Sequence, residues 1–446
     1  MRRKDPNEAR ARELAAKAGI DPDSRVPMPG SDRTMPAWVE FRLNARQERM
    51  AEEAKALAEK LGPQKPQYQN SPLTVVGDHE EATIQQMRNC MSVGNVVAGA
   101  LCADGHLGYA QPVGGAIAYE GQISISGVGF DIACGNLAVR LDTRFTDIAE
   151  RVGEIARDIA RAIPFGIGRD NPERVEHELL DDDDAWEASG MEDYRQKAAA
   201  QLGTAGAGNH YVDIFEGEDS HVWIGAHFGS RGLGHTTATR YLKMAGGKEG
   251  MNVPPAVVDE HSEIGRSYIA GMELAGRYAY AGREWVVERV RQIIGGFVTD
   301  TVHNHHNYAW REEHFGKHLW VVRKGATPAF PGQRGFVGGS MGDEAVILEG
   351  FDSEQARALL RSTIHGAGRL FGRNEARRRF SREEMEDWLR ETGVTLVGGD
   401  LDESPMAYRR LDEVIAYHAD SVRVVHRLRP RIVVMAGRGE FDPSQE

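Results

Sequence analysis

The chain has 446 residues, 41% hydrophobic and 27% charged, a globular composition long enough for one large domain or two smaller ones. Its formal net charge of −13 argues against a protein that coats nucleic acid, because sequence-independent phosphate binding needs many lysines and arginines on one face. There is no apolar run of about eighteen residues and no apolar signal segment, so we expect a cytoplasmic protein without a membrane contact. The three cysteines are too few for a disulfide framework.

Residues 1–72 are predicted to form an N-terminal helical extension with a linker. Apolar residues recur at helical spacing between Pro36 and Leu61, and the pattern breaks at Gly62 and Pro63. A connector rich in glutamine, proline, asparagine and serine follows.

From residue 73 onward, short apolar runs alternate with glycine-rich turns and helical patterns. The mixture predicts an α/β or α+β fold, with one large unit over 73–437 and a C-terminal tail over 438–446. Predicted strands include 74–76, 116–118, 137–139, 222–224, 318–323, 345–348 and 432–435. Predicted helices cover 148–163, 262–295, 353–362, 382–392 and 412–425.

Two charged runs have competing interpretations. The acidic run Asp181 to Asp184 is typical of a solvated loop, which we favour over a metal site. The arginines near the C-terminus either form a local nucleic-acid patch or belong to a solvated face balanced by nearby glutamates. These arginines are Arg369, Arg373, Arg377, Arg378, Arg379, Arg409, Arg410, Arg423, Arg427, Arg429 and Arg431.

Histidines and glycines are unevenly distributed, and several segments combine them with a possible metal or phosphate ligand at a turn. Glycine permits positive φ and close backbone approach, so amides can converge on an anion while side chains point inward. The segments are Gly127 to Gly135, Gly203 to His210, Ala226 to His235, His303 to Asn307 and His365 to Arg369.

Asp131 and Cys134 are close enough in sequence to reach one metal ion or two adjacent ions. They are predicted at the end of a strand entering a turn. A carboxylate oxygen beside a thiolate, with imidazoles from elsewhere, favours Mn, Fe, Co or Zn over Mg or Ca. A single histidine is more often a packed or surface group, but three in separate turns together with this pair favour ligation.

His365 stands apart because Gly-Ala-Gly and Arg369 follow it. We expect it at a junction leading into a helix, where free amides hold phosphate oxygens. A neutral imidazole there can attack phosphorus and form a covalent nucleotidyl-histidine. The residues alone leave a further metal ligand and a general acid equally open.

A second loop region offers cations, hydroxyls and backbone amides to a triphosphate. It runs from Arg323 to Thr327 and from Gly338 to Gly342. No G-x-x-x-x-G-K-[ST] motif occurs, and no G-x-G-x-x-G follows a predicted strand in the required context. P-loop chemistry and dinucleotide binding are therefore poor candidates.

Taken in order from about residue 75 to 437, these motifs resemble the RtcB family of RNA ligases. The motifs that carry the resemblance are Asp104-Gly-His-Leu-Gly-Tyr, Pro112-Val-Gly-Gly, Gly127-Val-Gly-Phe-Asp-Ile-Ala-Cys-Gly, Gly208-Asn-His, His227 with Gly-Ser-Arg-Gly-Leu-Gly-His, His306-Asn-Tyr, Arg323-Lys-Gly-Ala-Thr, Gly339-Ser-Met-Gly, His365-Gly-Ala-Gly-Arg and Pro405-Met-Ala-Tyr.

The resemblance implies an RtcB-like α/β catalytic domain that holds a pair of Mn²⁺ ions. The implied ligands are Cys134 bridging both ions, Asp131 and His210 at one ion, and His227 and His306 at the other, with His303 as the alternative to His306.

The resemblance also implies the reaction. Family members join RNA ending in a 3′-phosphate or 2′,3′-cyclic phosphate to RNA with a 5′-hydroxyl, in RNA repair or tRNA splicing. The histidine matching His365 attacks GTP and carries GMP. The implied nucleotide site is Asn209, His210, Asp213, His306, Asn307, Gly339, Ser340, Met341, His365, Gly366, Ala367, Gly368 and Tyr408, with Asn209 at the phosphates, Ser340 at the nucleotide and Tyr408 stacked on guanine.

Partners follow from the same resemblance. Arg231 and Arg369 become candidates for RNA phosphates, and an archease-like activator is an expectation because some relatives use one.

The chain departs from the family pattern at Asp213, Ala345 and Ala436, where glutamate, serine and lysine are usual. Missing hydrogen-bonding groups relax discrimination between substrates. Two other hypotheses therefore stay open. One is a divergent paralogue that nucleotidylates or processes nucleic-acid 3′-phosphate ends with another nucleotide, and the other is a metal-containing RNA-end binding protein without turnover.

Overall fold

The computed structural model describes residues 5–28, 34–61 and 70–437, with the backbone alone given for 57–61. The helices are α1 Glu8–Lys17, α2 Arg42–Leu61, α3 Glu81–Met91, α4 Ile125–Val128, α5 Val152–Ala162, α6 Asp183–Ser189, α7 Arg195–Gln201, α8 Arg231–Met244, α9 Glu263–Ile294, α10 Glu354–Ala358, α11 Arg373–Arg379, α12 Arg382–Thr392 and α13 Leu411–Ala416.

The strands alternate with these helices along most of the chain. They are β1 Arg25–Pro27, β2 Thr34–Pro36, β3 Leu73–Val75, β4 Val96–His106, β5 Val113–Tyr119, β6 Gln122–Ser124, β7 Gly135–Arg144, β8 Tyr211–Gly217, β9 His221–Phe228, β10 Val257–Asp259, β11 Val298–His305, β12 Asn307–His314, β13 Lys317–Lys324, β14 Ala326–Pro328, β15 Arg334–Val337, β16 Ala345–Gly350, β17 Ser362–Ile364, β18 Thr395–Val397 and β19 Val422–Met435.

The larger sheet has the strand order β11-β7-β9-β8-β19-β16-β15, and β18 pairs in parallel with β19. The neighbours along the main path are antiparallel. β9 is buried at every position after its first residue, because helices and loops cover both faces of the sheet. Continuous apolar sequence such as Val222 to Ala226 is typical of such a strand.

The second sheet has the order β12-β13-β5-β4-β3. It meets the larger sheet where β11 passes into β12. His305 pairs with Gly135 in the larger sheet, whereas Asn307 pairs with Lys324 in the second sheet. His306 therefore lies at the junction of the two sheets.

Helix α9 packs against β7 and β9 of the larger sheet and against α6 and α8. The Ser262 side chain accepts a hydrogen bond from the Gly265 amide at 3.0 Å and caps its N-terminus. Gly295 follows its last turn with φ +92°, a conformation that favours glycine. These signals explain why the helix predicted over 262–295 is confirmed.

The expected mixture of helices and strands is confirmed, and α5 and α12 form where helices were predicted. Two helix predictions are wrong in extent. The segment predicted as a helix over 412–425 is helical only to Ala416, and β19 begins at Val422 because its β-branched residues fit a sheet. The helix predicted over 353–362 ends at Ala358, and β17 starts at Ser362.

The acidic run is not a loop. It ends a 3₁₀ turn and begins α6, where the Asp182 side chain accepts from the Ala185 amide at 3.1 Å. Asp182 and Asp183 also pair with Arg277 and Arg195. Capping and ion pairs give Asp182 and Asp183 a structural role.

The N-terminal helical pattern is present as α2, preceded by a 3₁₀ turn over Ala37–Phe41. The predicted connector falls largely on residues 62–69 and the tail on 438–446, which lie outside the described residues. The domain boundaries stay a prediction. Among the described residues, no helix has the length and apolar character needed to span a membrane.

Candidate active site

One end of three neighbouring strands carries most of the predicted metal ligands. Cys134 directly precedes β7, His210 directly precedes β8, and His227 lies next to the end of β9 between them. Because neighbouring strands are antiparallel, the start of β7, the end of β9 and the start of β8 meet at one edge. His306 reaches this edge from the junction of the two sheets.

The donor atoms form two sets that share Cys134. Its Sγ lies 3.7 Å from His210 Nε2 and 3.5 Å from His227 Nε2, and Asp131 Oδ2 lies 3.0 Å from His210 Nε2. In each set the ligand atoms lie within 4.8 Å of one another. The first set is Asp131, Cys134 and His210, and the second is Cys134, His227 and His306.

The chemistry of these groups fits transition-metal ions. Burial, and then the nearby Asp131 carboxylate, raise the pKa of the Cys134 thiol well above its ordinary value, so a thiolate here needs a cation beside it. Burial lowers the pKa of His227 and His306 well below the ordinary value, which keeps both imidazoles neutral and able to ligate. The buried Nδ1 of His306 has no hydrogen-bond partner.

Asn136 orients one of the imidazoles. Its Oδ1 accepts from Nδ1 of His227 at 2.6 Å, which fixes the tautomer and turns the Nε2 lone pair toward Cys134. Its own amide donates to the Phe336 carbonyl at 2.8 Å. The sequence reasoning missed this residue. The available signal was a lone amide directly before the apolar run Leu137 to Val139.

The alternative ligand His303 is in neither donor set. His303 and His305 contact Arg283 instead, so the structure brings His306, rather than His303, to the other ligands.

His365 directly follows β17, and its ring centroid lies 4.9 Å from that of His306. Its Nδ1 lies 2.6 Å from Oδ2 of Asp104. This carboxylate therefore holds the proton on Nδ1 and leaves the lone pair on Nε2. Such an imidazole is prepared for nucleophilic attack.

Asp104 is fully buried in β4. Burial opposes its ionisation, but the hydrogen bonds from His365 and the attraction to its imidazolium form outweigh that effect and hold the pKa of Asp104 below its ordinary value. No role for Asp104 was predicted, although a buried aspartate in an otherwise apolar strand is a signal for a paired carboxylate.

The expected helix junction at His365 is wrong. The chain continues as a loop, and α11 begins only at Arg373. The amides of His365 and Gly366 are not free, because they donate to Asp104 at 2.9 and 3.3 Å. The two amides that were expected to bind phosphate oxygens therefore bind the Asp104 carboxylate instead.

A cavity of about 1100 Å³ opens in front of His365 and the donor sets. The predicted site residues that line it are Asp131, Cys134, Asn209, Asp213, His227, His306, Asn307, Gly339, Ser340, Met341, His365, Gly366, Ala367, Gly368, Arg369 and Tyr408. His210 and Arg231 are not among its lining residues, and neither are Ala345 and Ala436.

The surroundings of three lining residues bear on nucleotide binding. Burial raises the pKa of Asp213 well above its ordinary value, and its Oδ1 has no partner. Ser340 donates to Asp343 at 2.9 Å. One face of the Tyr408 ring faces the Arg369 guanidinium, 4.8 Å from the ring centroid.

Most C-terminal arginines are paired with carboxylates or carbonyls, which fits the alternative of a charged face balanced by acidic residues. The pairs include Arg373 with Asp402 and Glu403, Arg377 with Asp402, Arg410 with Asp343, Arg423 with Glu349, Arg427 with Asp412 and Arg431 with Glu216.

The two predicted RNA contacts are also engaged by the protein. Arg369 donates to the Tyr408 hydroxyl at 2.8 Å and to the Asp402 carbonyl at 2.6 Å. Arg231 donates to the Gly166 carbonyl at 3.0 Å.

Comparison with known proteins identifies the class to which this fold and site belong. The family model described as tRNA-splicing ligase RtcB matches residues 86–436. RNA-splicing ligase RtcB of Escherichia coli (strain K12) is 32% identical over 369 residues, covering 75% of this chain and 89% of the relative.

Relatives from two other organisms give the same result. The tRNA-splicing ligase RtcB of Thermococcus kodakarensis is 30% identical over 439 residues, covering 79% of this chain and 90% of the relative. RNA-splicing ligase RtcB of Mycobacterium bovis is 30% identical over 419 residues, covering 76% of this chain and 96% of the relative. The chain belongs to the RtcB family.

Proposed function

We propose that this protein is a GTP- and Mn²⁺-dependent RNA ligase that works through a histidine-GMP intermediate on His365. The relatives' names support ligation of RNA. The single observation that carries the mechanism is the His365–Asp104 pair beside the two donor sets. The reaction serves RNA repair or tRNA splicing in the cytoplasm.

The proposed metal ligands are the two donor sets, with Cys134 between them. When bound, the Mn²⁺ pair supplies Lewis-acid stabilisation of charge that develops on the phosphates. The chain's own residues orient the nucleophile, and burial keeps His227 and His306 neutral.

In the first step, Nε2 of His365 attacks the α-phosphorus of GTP. A nitrogen–phosphorus bond forms, the bond to the bridging oxygen breaks, and pyrophosphate leaves. The Asp104 carboxylate keeps its hydrogen bond to Nδ1–H and stabilises the positive charge that the imidazole acquires.

The later steps transfer and then release the guanylate. A 3′-phosphate oxygen of the RNA attacks the same phosphorus, and the bond to His365 breaks. The 5′-hydroxyl of the second RNA then attacks the activated 3′-phosphorus, and GMP leaves. A 2′,3′-cyclic phosphate is first opened by water to give the 3′-phosphate.

We assign the remaining cavity residues to substrate binding. In this assignment Asn209 contacts the phosphates, Tyr408, which lines the cavity, stacks on the guanine, and Ser340 contacts the nucleotide. Arg369 lines the cavity and is the better placed of the two candidates for RNA phosphates, while Arg231 stays a prediction. An archease-like activator is a further proposed partner.

The test is to incubate the purified protein with Mn²⁺ and GTP labelled at the α-phosphate. We expect a covalent GMP adduct that disappears in His365→Ala. His261→Ala is a matched control because that side chain is 79% exposed, and it should form the adduct normally. Absence of an adduct in the unsubstituted protein would support a binding protein without turnover and contradict the proposal.

The divergent paralogue is the second candidate, and Asp213 is the observation that favours it. Burial raises the pKa of this carboxyl, and its protonated form offers one donor and one acceptor, which pair with the O6 and N1 edge of guanine or the N1 and N6 edge of adenine. We therefore expect a preference for GTP over ATP of less than about 100-fold, against the roughly 10⁴-fold or more that a fully hydrogen-bonding site reaches. An adduct with ATP alone would support this second candidate.

A further inference from the structure

Helix α9 buries one charged side chain, Arg283, which is fully shielded from solvent among apolar residues. Burying an arginine is costly unless its donors are satisfied. Arg283 belongs to neither donor set, and the proposed mechanism does not use it.

The guanidinium donates to two backbone carbonyls next to proposed metal ligands. One is the carbonyl of Ala133, at 3.1 Å, and the other is that of Phe228, at 2.5 Å. Ala133 immediately precedes Cys134, and Phe228 immediately follows His227. One side chain thus ties together the segments that carry two ligands.

Its other nitrogens donate to imidazoles. Nε lies 2.9 Å from Nε2 of His303, and Nη2 lies 3.0 Å from Nδ1 of His305. A guanidinium has donors only, so both imidazole nitrogens facing it carry lone pairs. Nδ1 of His305 therefore does not donate to the Ala133 carbonyl 3.2 Å away. Through these two hydrogen bonds, Arg283 also contacts the segment that carries His306.

The turn held in this way is strained. Ala133 has φ +61°, the left-handed region that residues with a Cβ rarely adopt. Its amide donates to the Asn307 carbonyl at 2.7 Å, and its carbonyl accepts from Arg283. Both bonds oppose relaxation of the turn that aims Cys134 at the other ligands.

We propose that Arg283 is a positioning residue that joins the segments of Cys134, His227 and His306 into one metal centre, with His303 and His305 as its hydrogen-bond acceptors. The proposal rests on the proposed metal centre. It assigns a role to each histidine of the His303-Asn-His-His306 run: one faces the metal donors and two hold the arginine.

The test uses Co²⁺ and the full-length protein, because a bound thiolate gives a thiolate-to-cobalt charge-transfer absorption. Arg283→Met should weaken Co²⁺ binding about 10- to 100-fold, as loss of outer-shell partners does, and reduce that absorption per bound cobalt. The matched control is Arg277→Met on the same helix, where an exposed arginine pairs with Asp182, and it should behave as the unsubstituted protein.

Equal Co²⁺ affinity and equal absorption in Arg283→Met would overturn the proposal. If the unsubstituted protein binds no Co²⁺, the proposed metal centre fails and this inference fails with it.

A second pair of variants covers the case in which Arg283→Met does not fold. In His303→Gln the new side-chain amide oxygen can still accept from the guanidinium, whereas the aliphatic side chain introduced by His303→Leu cannot. We expect normal Co²⁺ affinity in His303→Gln and a loss of several-fold in His303→Leu. Equal losses in both variants would show that the imidazole itself is needed, as a ligand, and would overturn the acceptor role.

Discussion

The buried Asp104 and the half-buried His365 form a pair that is separated by 261 positions in the chain. In Asp104→Asn the amide oxygen can still accept from Nδ1–H, but the negative charge that stabilises the imidazolium is lost. We expect the rate of GMP-adduct formation to fall roughly 100-fold or more, with bound Mn²⁺ unchanged. Single-turnover labelling and metal analysis measure the two quantities. An unchanged rate would contradict the proposed role of the carboxylate charge in stabilising the imidazolium.

Lys324 is a buried lysine whose Nζ donates to the Tyr109 carbonyl at 2.6 Å. Burial lowers its pKa to about 8, whereas the unfolded value is about 10.4. Below pH 8 the lysine is charged in both states, and the folded state carries the full cost of burying the charge. Above about pH 10.4 it is neutral in both states and the cost is absent.

The free energy of unfolding of the unsubstituted protein should therefore rise, relative to Lys324→Met, between pH 8 and about pH 10. The rise reaches roughly 3 kcal/mol at most. Urea unfolding in chelator at several pH values measures the difference. Lys197→Met removes a half-exposed lysine paired with Asp170 and should show no such slope. If the free energy of unfolding of the unsubstituted protein and of Lys324→Met changed with pH in the same way, the lowered pKa of Lys324 would be contradicted.

At the scale of elements, β7 and β11 approach closely at Gly135. A Cβ there would lie 2.2 Å from the Asn304 carbonyl oxygen and 2.8 Å from the His305 Cα, and neither backbone atom can yield cheaply. We expect Gly135→Ala to lower the free energy of unfolding by roughly 1–3 kcal/mol. Mn²⁺ binding should also weaken, because His306 moves with β11. Urea unfolding and metal titration measure both effects.

The matched substitution Gly153→Ala tests whether alanine lowers the free energy of unfolding only where the added Cβ is crowded. Gly153 lies in α5, and the nearest atom to an added Cβ is an Arg157 nitrogen at 3.5 Å. Alanine is the better helix former by about 0.8–1.0 kcal/mol, so this variant should be more stable than the unsubstituted protein. If both variants were less stable than the unsubstituted protein, crowding against β11 would not explain the destabilisation in Gly135→Ala.

Elements with strong local signals could be predicted from the sequence. Helical patterns predicted α9 and α12, and apolar runs predicted β7 and β9. The N-cap serines Ser262 and Ser381 explain where the two helices begin. The segment after Ala416 was mistaken for helix because its charged residues also suit an exposed helix face. Its pairing with distant strands decides in favour of β19.

The proposed ligands could be found because their residue types are informative by themselves, and the structure brings Asp131, Cys134, His210, His227 and His306 together. The supporting residues could not be found in this way. The roles of Asp104, Asn136 and Arg283 depend on neighbours far away in the chain, and one sequence does not reveal those contacts.

For the whole molecule, the proposed metal centre joins β7, β8 and β9 to the junction of the two sheets. Mn²⁺ that binds only the folded protein should raise the unfolding temperature, with a stabilisation of about 2.7 kcal/mol at 100 times the Kd. Cys134→Ser should lose most of the bound metal and this shift. Thermal unfolding with Mn²⁺ or chelator, together with metal analysis, measures both.

Cys90→Ala is the control, since Cys90 donates to the Ala110 carbonyl and belongs to neither donor set. It should keep the Mn²⁺-dependent shift. A full shift in Cys134→Ser would contradict a bridging thiolate.

Strand β19 lies between β16 and β8 in the larger sheet, although those strands precede it by many residues. During synthesis, the strands that carry the ligands leave the ribosomal exit tunnel before β19. Until β19 has emerged, the edges of β8 and β16 that pair with it have unpaired backbone amides and carbonyls. Such edges are templates for aggregation. Synthesis of the protein should therefore depend on chaperones during the delay, and a ribosome that stalls before residue 422 should release an insoluble product rather than a soluble, inactive one.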